Sequence, residues 1–324
     1  MMSNSTEPQR KPIKDRLGGE KSLPIRLVRE SLWETDNPFI KLCRTYPGQI
    51  VIAVITYYLF KQVLGAWLMN VLISWALNSN IVPEKALLAT VTYSDIIMLA
   101  AFLLFMKFAE RRSFAAMGFI SRKALRNILF GLLAGVCTFA VAVGLTVLIS
   151  GGHFGWAGTM TPGFFVYAFL GIMVSASAEE VNGRSYIFLS VSRNFPEWLA
   201  ALTSGLFFGA IHLTNSGWTV TSTINSALVG IIFCFTVLLV EDVWFACAAH
   251  TTWNFSQGFI FGLPVSGNDV GGSFFSTTIT TENELLSGGT YGIESNIVTT
   301  CLFVIIIAML IFLLKKKTAK RTAV

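Results

Sequence analysis

The chain alternates long apolar segments with short polar connections. About 20 apolar residues in a helix span the hydrocarbon core of a bilayer, and eight segments approach that length. These predicted spans cover residues 49–77, 86–106, 127–150, 163–192, 198–214, 223–240, 243–263 and 296–314. The pattern therefore predicts an all-α fold, a polytopic transmembrane helical bundle of about eight spans.

Composition and charge placement agree with a membrane protein. Hydrophobic residues make up 53% of the chain, charged residues 13%, and the mean hydropathy is +0.64. The net charge of +6 does not indicate a nucleic-acid partner, because Lys and Arg cluster in residues 1–47, 107–126 and 315–324. Lys85 is the one basic residue predicted on the opposite side. By the positive-inside rule both termini are predicted to be cytoplasmic. The predicted partner of the apolar surface is the lipid bilayer.

The chain divides into five predicted segments. Residues 1–47 form a basic cytoplasmic arm, in which 23–42 suit either an interfacial helix or a plain linker. Residues 48–124 hold the first two spans and a basic loop, 125–263 the core, and 296–324 the last span with a basic tail. Residues 264–295 are rich in Gly, Ser and Thr, which predicts a flexible outer loop, with a substrate lid as the alternative.

Ionisable side chains are costly inside a membrane, so each one indicates a function or a structural ion pair. Glu179 and Glu180 are adjacent on the fourth span and point about 100° apart on a helix, so they have different partners. Glu180 and Arg184 have the spacing and order of an ion pair. Glu179 is then predicted to be the free carboxylate, suited to general-base activation of water.

His212 lies on the fifth span and is predicted to face Glu179. The midpoint between positions 179 and 212 falls between Phe195 and Pro196, in the predicted turn of a helical hairpin. The two side chains are therefore expected at the same depth, where they could share a water molecule. Phe208, one turn before His212, is predicted to pack against the imidazole ring.

His250 and Asn254 share one helical face of the seventh span. Two neutral hydrogen-bond donors aimed at one point suit an oxyanion hole for amide hydrolysis. Glu179, His212 and His250 would alternatively form a zinc site with an open position, although the chain has no HExxH helix. The residues themselves leave both interpretations open.

Lys61 and Asp95 are two further ionisable residues inside predicted spans. Both fall near mid-depth on the first two spans, which are neighbours in the chain. This placement favours a structural ion pair between them.

Three motifs resemble those of the CPBP family, which includes the CAAX prenyl endopeptidases and bacterial Abi-type proteins. EExxxR occupies residues 179–184, FxxxH residues 208–212 and HxxxN residues 250–254. Each motif is weakly specific alone, but three in this order on successive or near-successive spans are highly specific. The similarity covers roughly residues 125–260. Many members have an aromatic before the arginine and a glycine after it, where this chain has Gly183 and Ser185.

The resemblance implies roles for the motif residues. Glu179 with His212 would activate water, Glu180 and Arg184 would orient the water or the substrate, and His250 and Asn254 would stabilise the oxyanion. It implies that no cofactor or metal is required. It also favours a bacterial inner or plasma membrane.

The predicted function is therefore an intramembrane endopeptidase acting on a membrane-associated substrate, either a prenylated CAAX-type tail or another peptide. Its polar cavity would lie between spans four, five and seven and open toward the cytoplasm or laterally to lipid. Two alternatives stay open: a catalytically silent immunity or scaffold protein that binds a peptide or helix, and a proton-coupled transporter. The sequence leaves the oligomeric state open.

Overall fold

A computed structural model describes residues 22–31, 38–79 and 92–322 of the chain. Several predictions fall outside these residues. They concern most of the amino-terminal basic arm, Lys85, the start of the second predicted span, and Leu32 and Trp33 of the predicted interfacial stretch.

The described residues are mainly helical. In chain order they are α1 (Leu23–Glu30), α2 (Pro38–Cys43), α3 (Tyr46–Thr56, continuing as Tyr57–Gly65 and Ala66–Ser79), α4 (Ile96–Leu104, continuing as Phe105–Ala109), α5 (Ala124–Ser150), α6 (Pro162–Glu180, continuing as Val181–Phe188 and Leu189–Ser192), α7 (Glu197–Ile211), α8 (Val220–Val240), α9 (Trp244–Phe255, continuing as Ser256–Ile260), α10 (Glu284–Ser287) and α11 (Ile297–Thr322). Single 3₁₀ turns occupy Tyr93–Asp95, Ala115–Met117, Ser121–Lys123, Gly289–Tyr291 and Ile293–Ser295.

A helical membrane bundle is confirmed. Among the described residues, five helices are long and apolar enough to cross a membrane: Tyr46–Trp75, Ser121–Ser150, Pro162–Ser192, Val220–Val240 and Ile297–Arg321. The other three predicted spans correspond to the shorter helices α4, α7 and α9. Length and composition therefore support five of the eight predicted spans directly.

Close packing at small residues sets the positions of the central helices. α6 and α7 form the predicted hairpin, with Arg193 to Pro196 between them. A Cβ on Gly135 of α5 would overlap the carbonyl oxygen of Ala249 in α9. A Cβ on Gly205 of α7 would lie 2.7 Å from the carbonyl oxygen of Ala227 in α8. Small residues let membrane helices approach in this way. The approach brings α8 and α9 against the polar part of α6.

The region predicted as a flexible outer loop is structured. Strand β2 (Phe275–Ile279) pairs antiparallel with β1 (Gly152–Trp156), which follows α5, with Trp156 opposite Phe275. Glu294 accepts hydrogen bonds from the Ser266 backbone N–H (2.7 Å) and Gln257 Nε2 (3.0 Å). The all-α prediction omitted this small sheet, because five residues with β propensity become a strand only when a partner strand lies beside them.

Some of the basic residues that predicted the topology are buried. Arg112 is 1% exposed, forms an ion pair with Glu110 and donates to the Ser185 carbonyl oxygen (3.1 Å). Arg193 Nη2 lies 3.7 Å from Glu110 Oε1. The loop between α4 and α5 is thus held against the carboxyl end of α6 by charge.

Candidate active site

Glu180 joins two other motif residues in the centre of the bundle. Its side chain is fully buried, with Oε2 3.0 Å from Arg184 Nε and Oε1 2.9 Å from His250 Nδ1. The predicted ion pair with Arg184 is therefore confirmed. One carboxylate thus lies against both an arginine and a histidine, which offsets part of the cost of burying its charge.

Glu179 is not the free carboxylate that the spacing predicted. Its Oε1 accepts a hydrogen bond from Lys61 Nζ at 3.3 Å, and its Oε2 lies 3.9 Å from His250 Nε2. The predicted ion pair between Lys61 and Asp95 is confirmed at 3.4 Å, but the same ammonium also reaches Glu179. The physical reason is that a carboxylate in a low-dielectric interior is stabilised by a cation, and α3 supplies one.

His250 has a different partner on each ring nitrogen. Nδ1 faces the Glu180 carboxylate, and Nε2 lies 3.3 Å from Asn254 Nδ2. An amide nitrogen only donates, so a neutral ring with these partners carries its proton on Nδ1 and accepts at Nε2. The arrangement differs from the predicted one, in which both side chains would donate toward a common point: here Asn254 donates to His250.

His212 lies at the carboxyl end of α7. Its Nδ1 is 2.8 Å from the Phe208 carbonyl oxygen, which can only accept, so Nδ1 carries a proton and Nε2 is left for another partner. The Phe208 ring packs 4.8 Å from the His212 ring, as predicted. His212, Glu179 and Asn254 line one cavity of about 280 Å³.

Two phenylalanine rings cover the guanidinium of Arg184. Its Cζ lies 4.6 Å from the Phe208 centroid and 5.1 Å from that of Phe233, so both contacts are cation–π interactions. Phe233 also stacks on His250, with centroids 5.6 Å apart and planes at 29°. Sequence reasoning missed Phe233, because nothing distinguishes it from the other 26 phenylalanines of the chain.

Residues of two connections between helices line one end of the cavity. Asn215, Ser266 and Asn268 line it, and they lie in the connections after α7 and α9. The charge distribution places these connections away from the basic loops. Because α7 ends at Ile211, loop residues and not a helix line the cavity beyond that point. If the basic loops are cytoplasmic, as predicted, this lining does not indicate a cytoplasmic opening, and the lateral opening to lipid stays a prediction.

The zinc alternative does not fit this arrangement. Within the described ranges, no group of three or more His, Cys, Asp or Glu side chains could hold a metal ion. Nε2 of His250, which would have to bind zinc, instead faces the Asn254 amide. No step of the proposed reaction is therefore routed through a metal.

Fold and site define an integral membrane protein with a carboxylate and histidine site enclosed by its helices. Residues 161–256, about three tenths of the chain, match the family model of Rce1-like type II CAAX prenyl endopeptidases. This match contains all three motifs and confirms the resemblance of this segment to CAAX-type proteases, which are hydrolases acting on peptide bonds. No curated protein matches the chain.

Proposed function

We propose that the protein is an intramembrane endopeptidase in which water held between Glu179 and His212 hydrolyses a peptide bond of a membrane-associated substrate. The observation that carries this proposal is the shared cavity: Glu179, His212 and Asn254 line the same space of about 280 Å³. The family match of residues 161–256 supports the reaction class.

The geometry favours a different role for each polar side chain of the site. Glu179 takes a proton from water, and the resulting hydroxide attacks the scissile carbonyl carbon. Asn254 donates to the developing oxyanion. His250, held by Glu180 through Nδ1, accepts from Asn254 at Nε2 and so fixes the direction of this amide. When the tetrahedral intermediate collapses, Glu179 returns its proton to the leaving amine.

Arg184 acts on the site through other side chains and does not contact the substrate. It neutralises Glu180 and packs between Phe208 and Phe233, and Phe233 in turn stacks on His250. These contacts orient the imidazole and are not made to a reacting atom. Arg184 is therefore a positioning residue in this proposal.

The substrate class rests on the family match alone. A CAAX-type protease acts on a peptide at the membrane, and either a prenylated tail or an unprenylated peptide would meet that description. A silent peptide-binding protein is the second candidate, because the same cavity would hold a peptide without cleaving it. Its function would persist in Glu179→Gln.

Cleavage by purified protein in lipid vesicles tests the proposal. Wild type, Glu179→Gln and His212→Ala are compared on quenched fluorescent peptides, prenylated and unprenylated, with and without a chelator. We expect wild-type cleavage that both substitutions abolish and the chelator leaves intact. Cleavage that survives Glu179→Gln would refute the assigned base, and loss with chelator alone would show a metal requirement.

A further inference from the structure

Lys61 connects the active site to a part of the chain that the family match does not cover. It lies on α3, whereas the match begins at residue 161. Its ammonium contacts Glu179 at 3.3 Å and Asp95 at 3.4 Å, and the three side chains line one cavity. A cation is thus positioned directly on the carboxylate to which the proposed chemistry assigns proton transfer.

The contacts of Lys61 form a closed circuit. Asp95 Oδ2 also accepts a hydrogen bond from Ser175 Oγ at 2.5 Å. Ser175 lies four residues before Glu179 on α6, so the two side chains share one face of that helix. Glu179 contacts Lys61 directly, and Ser175 contacts it through Asp95. Four side chains from three elements therefore hold one another, and the Glu179 carboxylate has little freedom to turn away.

The helix geometry at Lys61 is a second, independent observation. Lys61 lies in the π-helical segment Tyr57–Gly65 of α3. Two further π-helical segments adjoin the site: Val181–Phe188 begins directly after Glu180, and Ser256–Ile260 begins two residues after Asn254. Such segments are rare and occur frequently at functional sites.

We propose that Lys61 is a further positioning residue of the endopeptidase site, one that keeps Glu179 ionised and oriented, and that Asp95 acts through Lys61. The inference rests on the proposed function. Without the ammonium, Asp95 and Glu179 would be two carboxylates facing one cavity with no cation between them. A buried carboxylate without a cation neutralises itself by binding a proton, and a protonated Glu179 cannot accept one from water.

Four variants in the vesicle assay test this role. Lys61→Met should lower kcat by about 10- to 100-fold, which is part of the roughly 10²- to 10⁴-fold that general acid–base catalysis contributes, because Glu179 remains but loses its cation. KM should change less than about twofold, because the substrate contacts remain. Lys61→Arg, which keeps the charge, should recover much of the rate. Asp95→Asn should have a smaller effect, and the double variant Lys61→Met/Asp95→Asn should be no slower than Lys61→Met alone.

Lys317 offers a matched control. It is also a lysine with a 25% exposed side chain in an ion pair, with Glu241, but it lies on α11 at the far end of the bundle from the cavity. Lys317→Met should leave kcat and KM at wild-type values. If Lys61→Met matches this control while Glu179→Gln is inactive, the role of Lys61 is refuted and the proposed function stands.

Other outcomes separate the two proposals. Cleavage by Glu179→Gln, or no cleavage by wild type, refutes the proposed function and the role of Lys61 with it. If thermal unfolding shows that Lys61→Met does not fold, Lys61→Gln and Asp95→Asn replace it. Wild-type kcat in either of these folded variants would overturn the inference.

Discussion

Glu180 Oε1 lies 2.9 Å from Nδ1 of His250, a residue 70 positions further along the chain. This contact separates the roles of the two adjacent glutamates. Glu180 is fully buried and balances Arg184 as well as His250, while Glu179 faces the cavity. Glu180 is thus enclosed by the side chains of the bundle, whereas Glu179 contacts Lys61 and borders the cavity.

Glu180→Gln should destabilise the protein strongly. Removing one partner of a buried ion pair leaves an uncompensated charge, here that of Arg184, and typically costs about 3–5 kcal/mol. Thermal unfolding in detergent measures the loss. The matched control is Glu179→Gln, which removes the same charge at the next position, in the cavity wall. An equal or smaller loss in Glu180→Gln would contradict the assignment of Glu180 as the structural acid.

Phe233→Leu should lower both stability and kcat. The substitution removes a cation–π contact to Arg184 that is worth up to about 2 kcal/mol in a desolvated setting, together with the ring stacked on His250. Phe235→Leu on the same helix is the control, because Phe235 is partly buried and packs against the apolar core. Unfolding temperature and kcat are measured for both. Equal kcat values in the two variants would show that Phe233 does not orient His250.

The predicted orientation of the chain is tested by cysteine labelling in intact cells. Ser276 of β2 and Ser121, next to α5, are both exposed serines, one on each predicted side. Ser276→Cys should react with a membrane-impermeant maleimide from outside, and Ser121→Cys only after permeabilisation. The unsubstituted chain, with its five cysteines, provides the background. The reverse pattern would place both termini outside and the cavity lining on the cytoplasmic side.

Acid should weaken the contact between α8 and α11 through Glu241. Burial opposes ionisation of Glu241, but the hydrogen bond from Arg321 and the charge of Lys317 outweigh it and hold the pKa below its ordinary value of 4.5. A lowered carboxylate pKa contributes stability above the unfolded value, and that contribution is lost as pH falls through the folded one.

The unfolding temperature of wild type should therefore fall between about pH 5 and pH 3 more steeply than that of Glu241→Gln, which has no charge to lose. Arg321→Gln should flatten the curve in part, because Lys317 still pairs with Glu241 at 3.2 Å. Parallel curves for wild type and Glu241→Gln would exclude Glu241 as a source of the acid sensitivity.

Several features of the site follow from position along the chain alone. The ion pair of Glu180 with Arg184 needs only helical periodicity, because both residues lie on one helix. The hairpin of α6 and α7 follows from the short polar turn, and the pair of Lys61 with Asp95 from equal depth on neighbouring spans. Hydropathy and the three motifs were likewise enough for the helical bundle and the protease class, since bilayer thickness sets span length.

Tertiary structure decided which partner each polar group takes. The rotation of the helices and the distance between them decide three contacts. These are the ion pair of Lys61 with Glu179, the stacking of Phe233 on His250, and the pairing of β1 with β2. Close contacts between distant segments, such as Gly135 against Ala249, set those rotations. Depth along a span can be counted from the sequence, but the direction in which a side chain points across the bundle is a property of the packed helices together.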